Sequence, residues 1–250
     1  MDNSKKVKIV ILAAGHGKRM GSDLPKVLIP LSRKPLISYV LDSVKESGVC
    51  DKPLIVIGQQ RELIKQTLGN SYEYAIQEEQ LGTGHAVLSA MPVLKNKSEN
   101  IMVLYGDHPF VSSKTIKKLT REHIDSGAKI TFATAEIPDF FDWRRAFINF
   151  GRIIRYKEQI EGIKEYIDAT KEEKGILEIN PAYYVFNTEW LSENMKKIEN
   201  NNKQKEYYLT DLLRMAVKQK EKIKSIKINP KEALGANSRE ELDILEKFVV

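Results

Sequence analysis

Apolar and polar positions along the chain alternate between two rhythms. Short continuous apolar runs predict buried strands at Val7–Leu12, Leu54–Ile57, Tyr74–Gln77, Ile101–Tyr105 and Lys129–Ala135. Between them, helical periodicity predicts helices over Pro35–Ser47, Arg61–Leu68, Gly84–Met91 and Ser112–Ser126. A strand–helix alternation of this kind implies an α/β class, with a Rossmann-like, doubly wound and mostly parallel sheet. Right-handed crossovers then place ligand-binding groups at the carboxyl ends of the strands.

The pattern changes in the second half. Gly151–Tyr156 and Ile163–Ile167 read as paired strands around a polar turn, and Glu178–Phe186 as one further strand. Together they predict a small antiparallel extension able to cap a sugar. Asn200–Asn202 is a polar linker, Leu209–Lys218 an amphipathic helix starting near Thr210 or Asp211, and Ile223–Ile228 a strand. The last helix begins at Ser238, with Glu241 placed to complete a capping box. Nothing divides the chain, so residues 1–250 are expected to form one domain.

Composition narrows the class. The 250 residues are 42% hydrophobic and 30% charged, with net charge +6. Lysines are spread over helix faces and turns and form no basic stripe interleaved with aromatics, so small anionic ligands are expected and nucleic acid is not. No apolar run is long enough for a signal-peptide core or a membrane span. The single cysteine, Cys50, excludes an intrachain disulfide and a cysteine zinc cluster, and fits a reducing cytoplasm.

Candidate chemistry gathers where strands end. LAAGHGKRMGSDLPK (Leu12 to Lys26) follows the first strand, with Ala13, Ala14, Gly15 and Gly17 letting a ligand approach the backbone. Lys18, Arg19 and Lys26 ring it with positive charge, suiting a polyphosphate. It is not a P-loop, because no glycine precedes a Lys-Ser or Lys-Thr pair, nor a dinucleotide fingerprint, because Met20 stands where the third glycine belongs. Gln77, ahead of Gly82 and Gly84, carries an amide able to pair with a pyrimidine. Asp107 in YGDHP suits a Mg²⁺ ligand, since magnesium takes few protein oxygens beside phosphates and water. His108 has no partner in the sequence and reads as a loop hydrogen-bonder. Gly151, Glu165 and Asn180 on the extension carry groups suited to sugar hydroxyls, although nothing in their spacing separates them from other polar strand residues. Asn237 reads by default as a turn or cap residue.

LAAGHGKRM with SDLPKVL, QEEQLGTGHAV, LYGDHP, EINPAYYVFN, NNKQKEYYLTD and GANSREEL, in that order, resemble the uridylyltransferase half of bacterial N-acetylglucosamine-1-phosphate uridylyltransferases, sugar-nucleotide pyrophosphorylases. The resemblance runs from about Lys8 to Val250. It implies a nucleotidyltransferase fold and a Mg²⁺-dependent single displacement. UTP and N-acetylglucosamine 1-phosphate would give UDP-N-acetylglucosamine and pyrophosphate. It further implies that Leu12, Ala13, Ala14 and Gly15 hold the nucleotide, Gln77 and Gly82 the uracil, and Arg19 and Lys26 the phosphates. Asp107 and Asn237 would bind Mg²⁺. Thr83, Tyr105, Gly151, Glu165 and Asn180 would contact the sugar nucleotide, with Asn237 near them.

Three departures bear on these expectations. Pro181-Ala182 follow Asn180 where the family has Thr-Gly. Phe147-Ile148-Asn149-Phe150 replace a Pro-x-Gly-Tyr turn. Both lie on the sugar side, so a different sugar 1-phosphate or nucleoside triphosphate is the nearest alternative. The hexapeptide-repeat acetyltransferase half of full-length family members is absent from these residues, so acetyl transfer is not expected of them. A cytidylyl- or guanylyltransferase would lack QEEQLGTGHA. A catalytically silent nucleotide-binding regulator would have no need of Arg19, Lys26, Asp107 and Asn237 together.

Overall fold

The computed structural model describes residues 7–15, 17, 20–94 and 97–249. Four strands with three intervening helices build the first half: β1 (Val7–Ala13), β4 (Leu54–Ile57), β5 (Glu73–Ile76) and β6 (Asn100–Tyr105), with α1 (Leu36–Ser47), α2 (Arg61–Leu68) and α3 (Thr83–Leu94). A two-residue-per-strand hairpin, β2 (Pro30–Leu31) and β3 (Lys34–Pro35), precedes α1. Then follow α4 (Ser113–Ser126), β7 (Ile130–Glu136), β8 (Arg152–Tyr156), β9 (Gln159–Lys164), α5 (Lys171–Lys174), β10 (Glu178–Ile179), β11 (Tyr184–Asn187) and α6 (Thr188–Met195). The chain closes with α7 (Asp211–Lys218), β12 (Ile223–Lys227) and α8 (Arg239–Glu246).

Among the described residues the main sheet runs β5-β4-β1-β6-β11-β7-β10-β8-β9, with β12 beside β7. Pairings β5–β4, β4–β1, β1–β6 and β7–β12 are parallel, while β11, β10, β8 and β9 pair antiparallel with their neighbours. The expected mostly parallel sheet with an antiparallel extension is therefore present. β1 is apolar apart from Lys8, which pairs with Glu73, because both its faces are covered. Val10 and Leu12 face Ala86, Val87 and Ala90 of α3 and the α6–α7 layer. Ile9 and Ile11 face Ile37 and Val40 of α1 and Ile116 of α4. A third cluster packs α8 against Leu31, Leu36, Ala146 and Phe147. The strand order reverses between β1 and β6, where doubly wound sheets open a crevice.

Local chemistry explains the element ends. Ser112 caps α4 by accepting from Thr115 N, and Gly48 and Gly127 end α1 and α4 in the left-handed region. At α8, Ser238 Oγ accepts from Glu241 N at 3.3 Å, but the Glu241 carboxylate accepts from Asn237 N at 2.6 Å rather than from Ser238 N. The expected capping box is thus shifted back by one residue.

Several boundaries differ from the sequence expectation. The second hairpin strand is Gln159–Lys164, not Ile163–Ile167, because the turn is only Lys157-Glu158, both at positive φ (45° and 67°). Tyr166–Asp168 is a 3-10 turn. Glu178–Phe186 is two strands, not one. Pro181 cannot donate to a ladder and Ala182 turns at φ 64°, so the chain leaves β10 and crosses to join β6 and β7 as β11. α3 runs on to Leu94, and α6, the β2–β3 hairpin and a 3-10 segment at Asp142–Phe147 are additional.

Candidate active site

A cavity of about 410 Å³ opens at the carboxyl ends of β1 and β6. Fourteen of the fifteen residues expected at a site line it: Leu12, Ala13, Ala14, Gly15, Lys26, Gln77, Gly82, Thr83, Tyr105, Asp107, Gly151, Glu165, Asn180 and Asn237. Arg19 lies outside the described residues, as does Lys18. The two strands deliver their ends in register, with Leu12 opposite Tyr105 and Gly106 N donating to Leu12 O at 2.9 Å.

Charge is concentrated at the mouth of β6. Lys26 stands on a 3-10 turn entered through Pro25, and Gly17 packs against it so closely that a Cβ there would lie 2.9 Å from Lys26 Cβ. Its Nζ donates to Asp107 Oδ2 and, at 2.9 Å, to Asn237 Oδ1. Asp107 is 4% exposed. Burial alone would raise its pKa, but the Lys26 charge, with His108 and backbone donors, holds the carboxyl below the usual range. Asn237 is brought there by the segment leading into α8, where Ala236 N donates to Asp107 O at 3.2 Å. Only glycine fits at 235, since a Cβ would sit 2.4 Å from His108 Cδ2. His108 is buried, stacked on Phe150, tilted against Tyr105 and facing the Tyr183 hydroxyl at 3.3 Å. Burial lowers its pKa, the Lys26 charge adds to this, and Asp107 opposes it.

At one end of the cavity Gln77 is 3% exposed, its Nε2 donating to Gly82 O and facing His85 Nδ1, both at 3.2 Å. Gly82 has φ 106°, and a Cβ there would lie 2.7 Å from Tyr207 O. At the other end, Asn180 Nδ2 donates to Tyr184 Oη at 2.7 Å, and Asn180 Oδ1 accepts from Ala182 N at 2.9 Å. Ala182 holds its left-handed φ with that side-chain bond as support. Glu165 accepts from Thr210 Oγ1 at 2.8 Å. Burial raises its pKa, the charges of Asp211, Asp168 and Glu206 add to this, and the Thr210 bond opposes it. Thr210 was expected near the start of α7 and stands at its N-cap; its backbone there is itself helical (φ −63°, ψ −23°), it makes no capping bond, and its hydroxyl donates to Glu165.

The family model for the MobA-like NTP transferase domain matches residues 9–205. The chain belongs to that family. This NTP transferase chain is 40% identical over 237 residues to the bifunctional protein GlmU of Acetivibrio thermocellus, covering 93% of the chain and 49% of that protein. It is 41% identical over 232 residues to GlmU of Exiguobacterium sibiricum (92% and 50%), and 38% over 251 residues to that of Desulfotalea psychrophila (99% and 71%). The chain thus spans about half the length of the first two relatives. The resemblance to GlmU-type proteins holds. In fold it is similar to a UDP-glucose pyrophosphorylase crystallised with UDP-glucose (TM-score 0.73, 20% identity, 98% of this chain and 100% of that one). A structure described as a putative glucose-1-phosphate thymidylyltransferase from Bacillus anthracis gives TM-score 0.75 at 19% identity, covering 97% of this chain and 94% of that one.

Further lining residues of this NTP transferase are Gln80, Gln204, Glu206 and Tyr208, which were not singled out from sequence, together with Asn149, Phe150 and Ala182, noted only as departures on the sugar side, His108, read as a loop hydrogen-bonder, and Thr210, read as a helix start. Those from 204 to 210 form a strap across the cavity. Tyr207 N donates to Leu81 O, Gly84 N to Tyr207 O, and Leu209 N to Thr83 Oγ1. Tyr208 Oη donates to Gln204 Oε1 at 2.6 Å. The signal was the EYYLTD motif, which identified the family without assigning these side chains a place. Among the described residues no helix is long and apolar enough to cross a membrane.

Proposed function

We propose that the chain catalyses Mg²⁺-dependent uridylyl transfer from UTP to N-acetylglucosamine 1-phosphate, releasing pyrophosphate. The observation that carries this reading is the convergence of Asp107 Oδ2 and Asn237 Oδ1 on one cation, the Lys26 ammonium, at the junction of β1 and β6. One carboxylate and one amide oxygen form the sparse donor set that magnesium accepts when phosphates and water complete its shell, so these residues fit the metal. Bound there, Mg²⁺ would neutralise phosphate charge and help hold the reacting groups in line. The described lining residues support such a need: they set three carboxylates, Asp107, Glu165 and Glu206, against the single ammonium of Lys26. Positive charge supplied by a metal would favour entry of a polyanion.

The rest follows from what the side chains can do. The sugar phosphate is its own nucleophile and is ionised at neutral pH, so no general base is required. The barrier lies in bringing one polyanion onto the α-phosphorus of another. Lys26, held on Asp107 and Asn237, would yield these donors to Mg²⁺ and turn its ammonium to phosphate oxygens. Gln77 and the backbone at Gly82 take the base, and Leu12 to Gly15 leave room for the nucleotide backbone. Glu165, Asn180 and Gly151 take sugar hydroxyls at the far end. A different acceptor sugar is the second reading, favoured by Asn149, Phe150 and Ala182 on the sugar wall.

Pyrophosphate release measured over a grid of nucleoside triphosphates and sugar 1-phosphates, with and without Mg²⁺, tests both readings. Turnover with UTP and N-acetylglucosamine 1-phosphate is expected. Activity with every triphosphate except UTP would overturn the base assignment, and activity with UTP only on other sugar phosphates would select the second reading.

A further inference from the structure

Arg152 is the largest fully buried side chain among the described residues, 1% exposed, and no carboxylate pairs with it. An unpaired buried charge is costly unless dipoles replace its water. Four backbone carbonyls do so. Nη1 donates to Phe150 O and, at 3.4 Å, to Phe147 O; Nη2 donates to Ile148 O at 2.8 Å; Nε donates to Lys174 O at 3.3 Å. The guanidinium also lies over the rings of Phe140, 4.7 Å from the centroid, and Tyr166, at 5.2 Å. Cations over aromatic faces gain further stabilisation when desolvated.

Three of the carbonyls belong to the segment that turns Asn149 and Phe150 into the cavity, the fourth ends α5, and Tyr166 directly follows Glu165. One guanidinium therefore ties both walls of the sugar end. Its planar fork suits several fixed carbonyls at once, which a lysine ammonium cannot match. We infer that Arg152 is a positioning residue that sets acceptor-sugar selectivity by clamping residues 147–150 against Tyr166. It touches no substrate and acts through Asn149, Phe150 and Glu165. The inference deepens the proposed transfer reaction and rests on it.

The test uses the full chain with Arg152→Lys, which keeps the charge and stem, and Phe140→Leu, which removes one ring face but no donor. Both are compared with wild type by hydrogen exchange and by steady-state kinetics. Arg152→Lys is expected to speed amide exchange in residues 147–151 by at least about tenfold while β1 and β6 stay protected. Its KM for the sugar 1-phosphate should rise at least about tenfold, with discrimination among sugar phosphates flattened and KM for UTP within about twofold. Phe140→Leu should move the same quantities in the same direction by a smaller factor. Unchanged exchange at 147–151, or a parallel rise in both KM values, overturns the clamp. Should Arg152→Lys fail to fold, wild-type behaviour of Phe140→Leu overturns it as well. Absence of turnover in the wild type sinks the transfer reading instead, and the exchange arm still decides whether Arg152 fixes the wall.

Discussion

His123, 2% exposed, sits where α4 packs on the sheet, with Nε2 3.0 Å from Asn100 Oδ1 and Nδ1 2.9 Å from Thr131 Oγ1. An amide oxygen only accepts, so Nε2 carries the proton and Nδ1 accepts from the threonine hydroxyl. Burial lowers the ring's pKa to about 4, against 6.5 ordinarily. The unfolded chain therefore binds the extra proton first, and stability falls as pH drops through the interval between the two values. Linkage over that interval gives a loss of about 2 kcal/mol between about pH 7 and pH 5. Glu165, Glu206 and Asp211 have raised pKa values and act in the opposite direction, so the wild-type profile alone is ambiguous. His123→Gln removes only the histidine contribution, at a cost of about 1 kcal/mol near neutrality from the lost Thr131 bond. Urea unfolding of both proteins across this range is the assay. The variant, less stable at about pH 7, should become the more stable protein by about pH 5. Parallel pH profiles for the two would refute the assignment of a neutral, buried imidazole.

Other positions give sharper functional outcomes. Lys26→Ala and Asp107→Ala should each lower turnover about a hundredfold or more in a pyrophosphate-release assay, the scale of losing one preorganised charge contact; near-normal rates in both would end the proposed mechanism. Thr210→Val leaves Glu165 without its donor, so KM for the sugar 1-phosphate should rise about three- to tenfold while KM for UTP holds. Gly235→Ala forces a methyl group into His108 and should cost about 2 kcal/mol, a fall of roughly 4–8 °C in Tm. Gly162→Ala, with nothing within 4 Å of the added Cβ, serves as its control and should melt close to wild type.

The parallel half of the fold was legible because β1, β4 and β6 are buried on both faces and read as apolar runs, broken in β1 only by Lys8. The antiparallel half was not, because its geometry depends on backbone angles that the residue types disguise. Lys157 and Glu158 make a two-residue turn at positive φ without the glycine or asparagine that normally announces one. Pro181 was a usable signal that Glu178–Phe186 could not be one continuous strand. At the site, Lys26, Asp107 and Asn237 were each identifiable beside a strand end or a turn. That one ammonium joins residues 81 and 211 positions away was not, since only the sheet brings them together. Thr210 shows the reverse effect. Its helix-start position was readable, but the buried carboxylate that accepts the bond from its hydroxyl was not.

The strap from Gln204 to Thr210 gives the cavity an internal mechanical connection. Its backbone is bonded to Leu81, Thr83 and Gly84 beside the base end, and its last hydroxyl to Glu165 at the sugar end. A displacement at either end must be carried by the same few peptide units. Any ordering of the strap favoured by a ligand at one end would favour, by the same free energy, a ligand at the other that binds the ordered strap.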